Sequence, residues 1–471
     1  MRGGLQSKPL NWSHSNFSSY RFTNDLAVNP IWNLGDTWKS YQKEKSVNQF
    51  GNVKVTLNES INIARNKISN ANIQYLNDEF PLLRNSTSNS DNNDYNVVII
   101  LMESFAGQYV GVLGNDDNIT PQFDKLSKDG VLFTKMFSGG TRTNRGLAST
   151  LLSFPTLPRY KSILNDASIS QSFSSISLVL KQRNYNSNFI FSGDLKYDNM
   201  EGFLSTQGYD NFYGREQFED NLFHTTWGVS DDALFDKSYQ IMHNLQEPFL
   251  TTILTITNHS PYLYPEDKPF EPINIDDSQN ARLCAFKFSD FALGQFMKKM
   301  QDSPIYDRTI FVILGDHGFL SDEFDQNKSI ELASYHIPCL IIAPGLKPET
   351  NNRISGQIDI IPTILPLLGG SFEHHSWGKN LLSNPTESDY AIIIPSGVNH
   401  KIGFIQDDIF LIYNFLSEPE FYTLNGFPKN INLTPLLEIN NSHKDMETTM
   451  LGFLKLASYT LNNYKCGINT N

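Results

Sequence analysis

The chain has 471 residues, of which 39% are hydrophobic and 12% aromatic, enough for one large domain with an appendage or for two domains. A formal net charge of -13 without a broad basic face excludes nucleic acid as a main partner, yet leaves room for a local anion site built from a metal and a few arginines. The three cysteines, Cys284, Cys339 and Cys466, are too widely spaced for a thiolate zinc site and allow at most one disulfide, which leaves the redox compartment open.

Residues 1–95 read as a helical leader followed by a polar linker. Apolar spacing predicts helices over 27–48 and 57–77, and the stretch RNSTSNSDNNDY at 84–95 has the composition of a solvated connection. From Asn96 the pattern changes to a core over 96–388. Apolar runs predict strands at 96–102, 131–137, 187–192, 249–256, 309–314 and 338–343. Helical patterns fall at 121–129, 144–153, 171–183, 231–245, 280–301 and 358–369. Strands that are apolar throughout and alternate with helices imply an α/β fold, a mainly parallel sheet flanked by helices on both faces. Over 389–471 the runs AIIIPSG, KIGFIQ and DIFLIYNF predict short antiparallel strands and 443–464 a last helix, together a small C-terminal α+β piece. No stretch approaches the roughly 18 continuous apolar residues of a membrane-spanning helix. The chain as it stands is expected to be soluble, either in its own right or as the outer domain of a longer membrane protein.

Ligands of open parallel sheets bind beyond the carboxyl ends of the strands, and several chemistry-bearing residues sit there. Glu103 ends NVVIILMES, where a carboxylate is costly unless paired or metal-bound. Asp316-His317 end TIFVILGDHG, a carboxylate and an imidazole that can reach one cation, with Gly318 letting the backbone turn away. Thr143 lies in GGTRTNRG just before a helical pattern, where a helix start favours an anion and Arg142 and Arg145 supply planar donors for phosphate oxygens. A threonine hydroxyl becomes a nucleophile when a divalent cation lowers its pKa. On residue chemistry alone, Thr141 and Thr150 compete with Thr143 for that role. His259, in LTITNHSPY, is placed to contact a transferring phosphate or protonate a leaving oxygen. His336, before IPCLIIAPG, enters the same rim as a substrate or second-metal candidate. Trp227, in TTWGVSDDALF, is a candidate to stack on a substrate, or else packs at a helix start capped by Ser230 with Asp231 and Asp232 in its first turn. His374 and His375 are adjacent and would point apart on a regular element, so they stay outside the site. The P-loop, nucleophile-elbow and HExxH patterns are all missing from the sequence.

The ordered set NVVIILMES, SGGTRTNRG, TITNHSPY, ILGDHG, HIPCLIIAPG and SGQIDIIPTILPLLG, over roughly 96–420, resembles the sulfatase-like branch of the alkaline phosphatase superfamily. WGVSDDALF and HHSWGKNLL are most similar to its lipoteichoic acid synthase and phosphoglycerol transferase group. The resemblance implies an alkaline-phosphatase-like fold and a divalent cation, typically Mn²⁺ with Mg²⁺ or Zn²⁺ as alternatives, held by Glu103, Thr143, Asp316 and His317. It implies Thr143 as nucleophile, with His259 on the substrate phosphate. Family members carry N-terminal membrane helices and an extracytoplasmic catalytic domain, so the full-length protein is expected at the outer face of the cell membrane. The implied reaction moves a phospholipid head group through a covalent threonine intermediate to a glycan or polymer acceptor at a membrane surface. Asn144-Arg145-Gly146 follow Thr143 where Gram-positive members have acidic and small residues, so the resemblance does not carry the donor or acceptor over. The alternatives are a phosphoethanolamine transferase, a phosphodiesterase or sulfatase-type hydrolase and, from another class, an inactive envelope binding protein. Thr143 lacks the Cys or Ser context of formylglycine sulfatases, which disfavours that route.

Overall fold

The structure is a computed structural model. It describes residues 53–468 apart from 89, 159–161, 165–170, 274–278, 320–329, 385–386, 396–400 and 430, together with Leu34, Gly35 and Trp38. Apart from those last three residues, the helix expected over 27–48 lies outside the described residues.

The chain enters through α1 (Leu57–Ile68), which begins with a reciprocal cap between Thr56 and Glu59. The helix predicted over 57–77 stops early. The Asn70 side chain accepts from the Asn72 amide in a tight turn, and the chain continues as β1 (Ile73–Tyr75). The start of the expected linker is strand too: β2 (Arg84–Thr87) pairs with β1 and with a later strand. Its Arg84 is fully buried and donates to the carbonyls of Leu82, Ser376 and Gly378. Ser376 and Gly378 lie almost 300 residues away, so a local reading of a polar stretch has no access to them.

The core follows as β3 (Asn96–Met102), α2 (Pro121–Leu126), β4 (Val131–Phe137), α3 (Thr143–Leu152), α4 (Ile176–Leu180), β5 (Asn186–Phe191), α5 (Met200–Thr206) and β6 (Asn211–Tyr213). After these come α6 (Asp231–His243), β7 (Phe249–Leu254), α7 (Gln279–Gln301), β8 (Thr309–Gly315), β9 (His336–Ile342), β10 (Glu349–Asn351), β11 (Ser355–Gly356), α8 (Ile360–Ile364) and β12 (Ser371–His374). The main sheet runs β10-β4-β9-β8-β3-β7-β5-β6, with β11 also on β4. Every neighbour pairing is parallel except those of β9, which runs against both β8 and β4. Both faces are dry. Along β3, Val97, Ile99 and Leu101 join one apolar core while Val98, Ile100 and Met102 join the other, the period of two expected of a doubly covered strand. β12 completes a small antiparallel sheet with β1 and β2.

The C-terminal piece is a five-stranded antiparallel meander, β13 (Tyr390–Ile393), β14 (Lys401–Gln406), β15 (Ile409–Asn414), β16 (Glu420–Asn425) and β17 (Asn432–Pro435), closed by α9 (Asn441–Asn462). The apolar runs of the sequence locate its first three strands, and the more polar β16 and β17 come from pairing alone. α9 packs on α1, where Gly452 lets the backbone of Ser60 and the side chain of Ile63 come close. The segment ahead of the core is therefore tied to both the core and the C-terminal piece. The three cysteines are buried and none is in a disulfide, and no helix among the described residues is long and apolar enough to cross a membrane.

Because Arg84 satisfies three buried carbonyls, replacing it by Ala leaves them unpaired in a vacated space. Arg84→Ala is expected to lower stability by on the order of 3 kcal/mol, read as a lower urea midpoint.

Candidate active site

The carboxyl ends of β3, β7 and β8 and the start of α3 meet at one edge of the sheet, over a cavity of about 560 Å³. The register β3–β8 pairs Met102 with Gly315, which brings the following residues, Glu103 and Asp316, side by side. The Ser104 amide donates to Asp316 Oδ1 at 2.7 Å and the His317 amide to the same oxygen at 2.6 Å. Ser104 adopts a left-handed backbone, φ 50°, a conformation that costs energy in a non-glycine residue and recurs at functional sites. It turns the chain so that the Ser104 hydroxyl donates to Glu103 Oε1 at 2.7 Å.

Ligand atoms of Glu103, Asp316 and His317 all lie within 4.8 Å of one another. His317 Nδ1 donates to the Gly318 carbonyl at 2.7 Å, so the lone pair sits on Nε2 in the neutral ring, 3.6 Å from both carboxylates. Thr143, the first residue of α3, donates its hydroxyl hydrogen to Glu103 Oε2 at 3.2 Å. Asp316 Oδ2 is buried without a hydrogen-bond partner. Burial first, and the Glu103 carboxylate second, push the Asp316 carboxyl from its ordinary 3.8 up to about 7. Burial works against the His317 imidazolium, but the Asp316 and Glu103 carboxylates outweigh it and raise its pKa. Two carboxylates, an imidazole nitrogen and a hydroxyl, with one carboxylate oxygen lacking any donor, fit a divalent cation. An ion would satisfy the orphan oxygen and offset the desolvated charge.

Three of the four candidate substrate contacts line the same cavity. Arg142 is exposed at the N-terminal boundary of α3. The Trp227 and His259 rings lie 3.9 Å apart between centroids, and Trp227 Nε1 and His259 Nδ1 both donate to the Ser260 carbonyl. Trp227 thus lines the cavity while also packing against the main core. Asp231, expected as an ordinary first-turn acid, is fully buried and accepts the amides of Ile256 and Thr257 and the Ser289 hydroxyl, fixing the loop that carries His259. His336 requires a correction. It stands at the same sheet edge, because β9 is antiparallel and begins there, but its side chain is not in the cavity. Its Nε2 donates to the Thr134 carbonyl, its ring packs between Phe137 and Phe427, and burial pushes its pKa down to about 4. Arg145 also points elsewhere, donating to the carbonyls of Ile394 and Pro395. Thr150 is buried inside α3, remote from the cavity lining, whereas Thr141 lines the cavity but Thr143 is the threonine that meets Glu103.

The sequence reading passed over several wall residues. Asn258 donates to the carbonyls of both Glu103 and Ser104, and it stands in the NH pair next to His259. Ser104 directly follows Glu103. Tyr197, whose ring meets Trp227 edge-on, and Asp198, which accepts from Asn144, come from the loop after β5 and carried no sequence signal. Gly146 has a local reason: a β-carbon there would overlap the Asp316 carbonyl, so only glycine lets α3 approach the β8 end.

In the ion-free protein, the Asp316 carboxyl with its raised pKa holds a proton more tightly folded than unfolded. Its contribution to stability therefore falls as pH rises from 3.8 to about 7. Cation binding must displace that proton, so Mn²⁺ affinity measured by calorimetry is expected to rise about tenfold between about pH 6 and 8 for one proton released. Gly146→Ala is expected to cut Mn²⁺ affinity and turnover by about tenfold or more, because the helix bearing Thr143 is pushed off Asp316.

Comparison with known proteins places this geometry in context. The family described as Sulfatase matches residues 95–371, more than half of the chain. Lipoteichoic acid synthase 1 of Bacillus subtilis is 26% identical over 318 residues, 63% of this chain and 49% of that protein. Phosphoglycerol transferase I of Salmonella choleraesuis is 25% identical over 358 residues, 71% of this chain and 44% of that protein. The chain thus spans about half the length of these curated relatives. A crystal structure of a protein in the alkaline phosphatase superfamily from Vibrio parahaemolyticus superposes with a TM-score of 0.79 at 26% identity, covering 88% of this chain and 98% of that one.

Proposed function

The chain belongs to the sulfatase family, and from that premise we propose that it is a metal-dependent phosphoglycerol transferase. It moves the head group of a phospholipid such as phosphatidylglycerol, through a covalent Thr143 intermediate, to a glycan or polymer acceptor. The observation that carries this reading is the hydrogen bond from the Thr143 hydroxyl to Glu103 inside the cluster with Asp316 and His317. Glu103, Asp316, His317 and Thr143 would hold the cation, with Mn²⁺ as the proposed ion. When bound, it would lower the pKa of the threonine hydroxyl and offset negative charge on the phosphoryl group.

The chain's own residues supply the rest. Thr143 Oγ forms a bond to phosphorus as the bond to the diacylglycerol oxygen breaks, and the threonine proton passes toward Glu103. The start of α3 and the Arg142 guanidinium face the oxygens on which charge develops. His259, with Nδ1 donating to the Ser260 carbonyl, acts as an imidazolium whose Nε2 proton passes to the leaving diacylglycerol oxygen. In the second half the acceptor hydroxyl gives its proton to the now neutral His259 Nε2 as its oxygen bonds to phosphorus, and the Thr143–phosphorus bond breaks with the proton held by Glu103 returning to the threonine oxygen. Trp227 and Tyr197 form an aromatic wall for the carbon skeleton of the head group. Similarity to a lipoteichoic acid synthase and to a phosphoglycerol transferase supports this donor class over sulfate esters, as does Thr143 in place of a formylglycine precursor. The reading puts the domain outside the cytoplasm, at a membrane surface and as part of a membrane-anchored protein.

Exposure of the protein with Mn²⁺ to labelled phosphatidylglycerol and phosphatidylethanolamine, followed by mass spectrometry, is expected to add a phosphoglycerol mass to Thr143. Thr143→Ala is expected to abolish the adduct and lower turnover by at least about 10³-fold. A phosphoethanolamine mass would reassign the donor, and an adduct on another residue would sink the nucleophile assignment.

A further inference from the structure

Gln357 is almost fully buried between β11 and α8, outside the cavity, and its amide touches both halves of the site. Its Oε1 accepts from the Gly139 amide at 3.1 Å, at the start of the glycine-rich loop that leads to Thr143. Its Nε2 donates to the Gly315 carbonyl at 3.0 Å and to the Asp316 carbonyl at 2.7 Å. One planar group thus spans the nucleophile loop and the metal-ligand strand end, with its acceptor on the first and both donors on the second. Gly146 closes the same gap from the other side, packed against the Asp316 carbonyl.

We propose that Gln357 is a positioning residue that sets the separation between the Thr143 hydroxyl and the Glu103–Asp316–His317 cluster. The proposal rests on the functional reading above. Side-chain chemistry selects the residue type. A glutamate would aim a carboxylate at two carbonyl oxygens, an asparagine is one methylene too short to reach both loops, and a methionine fills the space without bonding either. All three leave the Glu103, Asp316 and His317 side chains intact, so an ion keeps those three ligands and the effect should fall mainly on the position of Thr143. A nucleophile displaced by about 1 Å loses on the order of 100-fold in rate.

The test compares wild type with Gln357→Met and Gln357→Asn, and with Thr363→Val as a control. Thr363 is an equally buried side chain on α8 that bonds the Asp359 carbonyl. The readouts are kcat and KM on bis(p-nitrophenyl) phosphate, Mn²⁺ affinity by calorimetry, melting temperature, and amide exchange of peptides spanning 138–146. The expected result is a 10- to 100-fold fall in kcat for both Gln357 variants, with KM and Mn²⁺ affinity within about threefold of wild type. Faster exchange in the 138–146 peptides should accompany it, and Thr363→Val should keep its kcat at a similar melting temperature. Unchanged kcat in both Gln357 variants overturns the proposal. So does a loss of kcat matched by an equal loss of Mn²⁺ affinity or of folded protein, or an equal loss in Thr363→Val. A wild type that neither binds Mn²⁺ nor turns over the diester overturns the functional reading, and the positioning role with it.

Discussion

The site depends on the cost of holding two carboxylates and an imidazole together where little water reaches them. Asp316 is fully buried, Glu103 and His317 nearly so, and their ligand atoms lie within 4.8 Å of each other. Backbone amides satisfy only part of this demand, since Ser104 and His317 both donate to Asp316 Oδ1 and leave Oδ2 without a donor. A fold keeps such a cluster only when something compensates the desolvated charge. The residues present fit a divalent cation in that role, and the Thr143 hydroxyl, bonded to Glu103, stands beside the same cluster.

The surroundings are organised to hold that cluster still. Each loop at the edge of the sheet is tied to a neighbour by a buried polar contact. Thr255 accepts from the Glu103 amide, Asn258 donates to the Glu103 and Ser104 carbonyls, and Asp231 gathers the amides of the loop after β7. Gln357 and Gly146 stand where α3 and the loop before it approach the end of β8. These contacts confer little net stability one by one. Their effect is to remove alternatives for the position of the Thr143 hydroxyl beside Glu103. On the cavity side Trp227, His259 and Tyr197 form the wall, across from the Glu103 and His317 end of the site.

The six core strands were legible because buried parallel strands are apolar throughout, and Glu103 and Asp316-His317 were legible because a charged group at the tip of such a strand stands out. The short strands β1, β2, β10 and β12 were not, since polar edge segments acquire strand character from their partners. Arg84 looked like the start of a solvated linker, and only its distant carbonyl partners make it a buried clamp. His336 was rightly placed at the edge of the sheet, but position along a strand does not tell which way a side chain faces, and its ring turns toward Phe137 and Phe427.

The sequence by itself determined the alternation of strands and helices, the residue types able to bind a cation, and the pairing of a threonine with a helix start. Those are local properties, written in periodicity and in the order of neighbours along the chain. Tertiary structure decided which threonine meets Glu103, which arginine faces the cavity and which faces the Ile394 and Pro395 carbonyls, and that Gln357 bridges the two loops. Such choices rest on contacts between segments tens to hundreds of residues apart. Strand register and helix packing set those distances to within an ångström, and no local pattern encodes them.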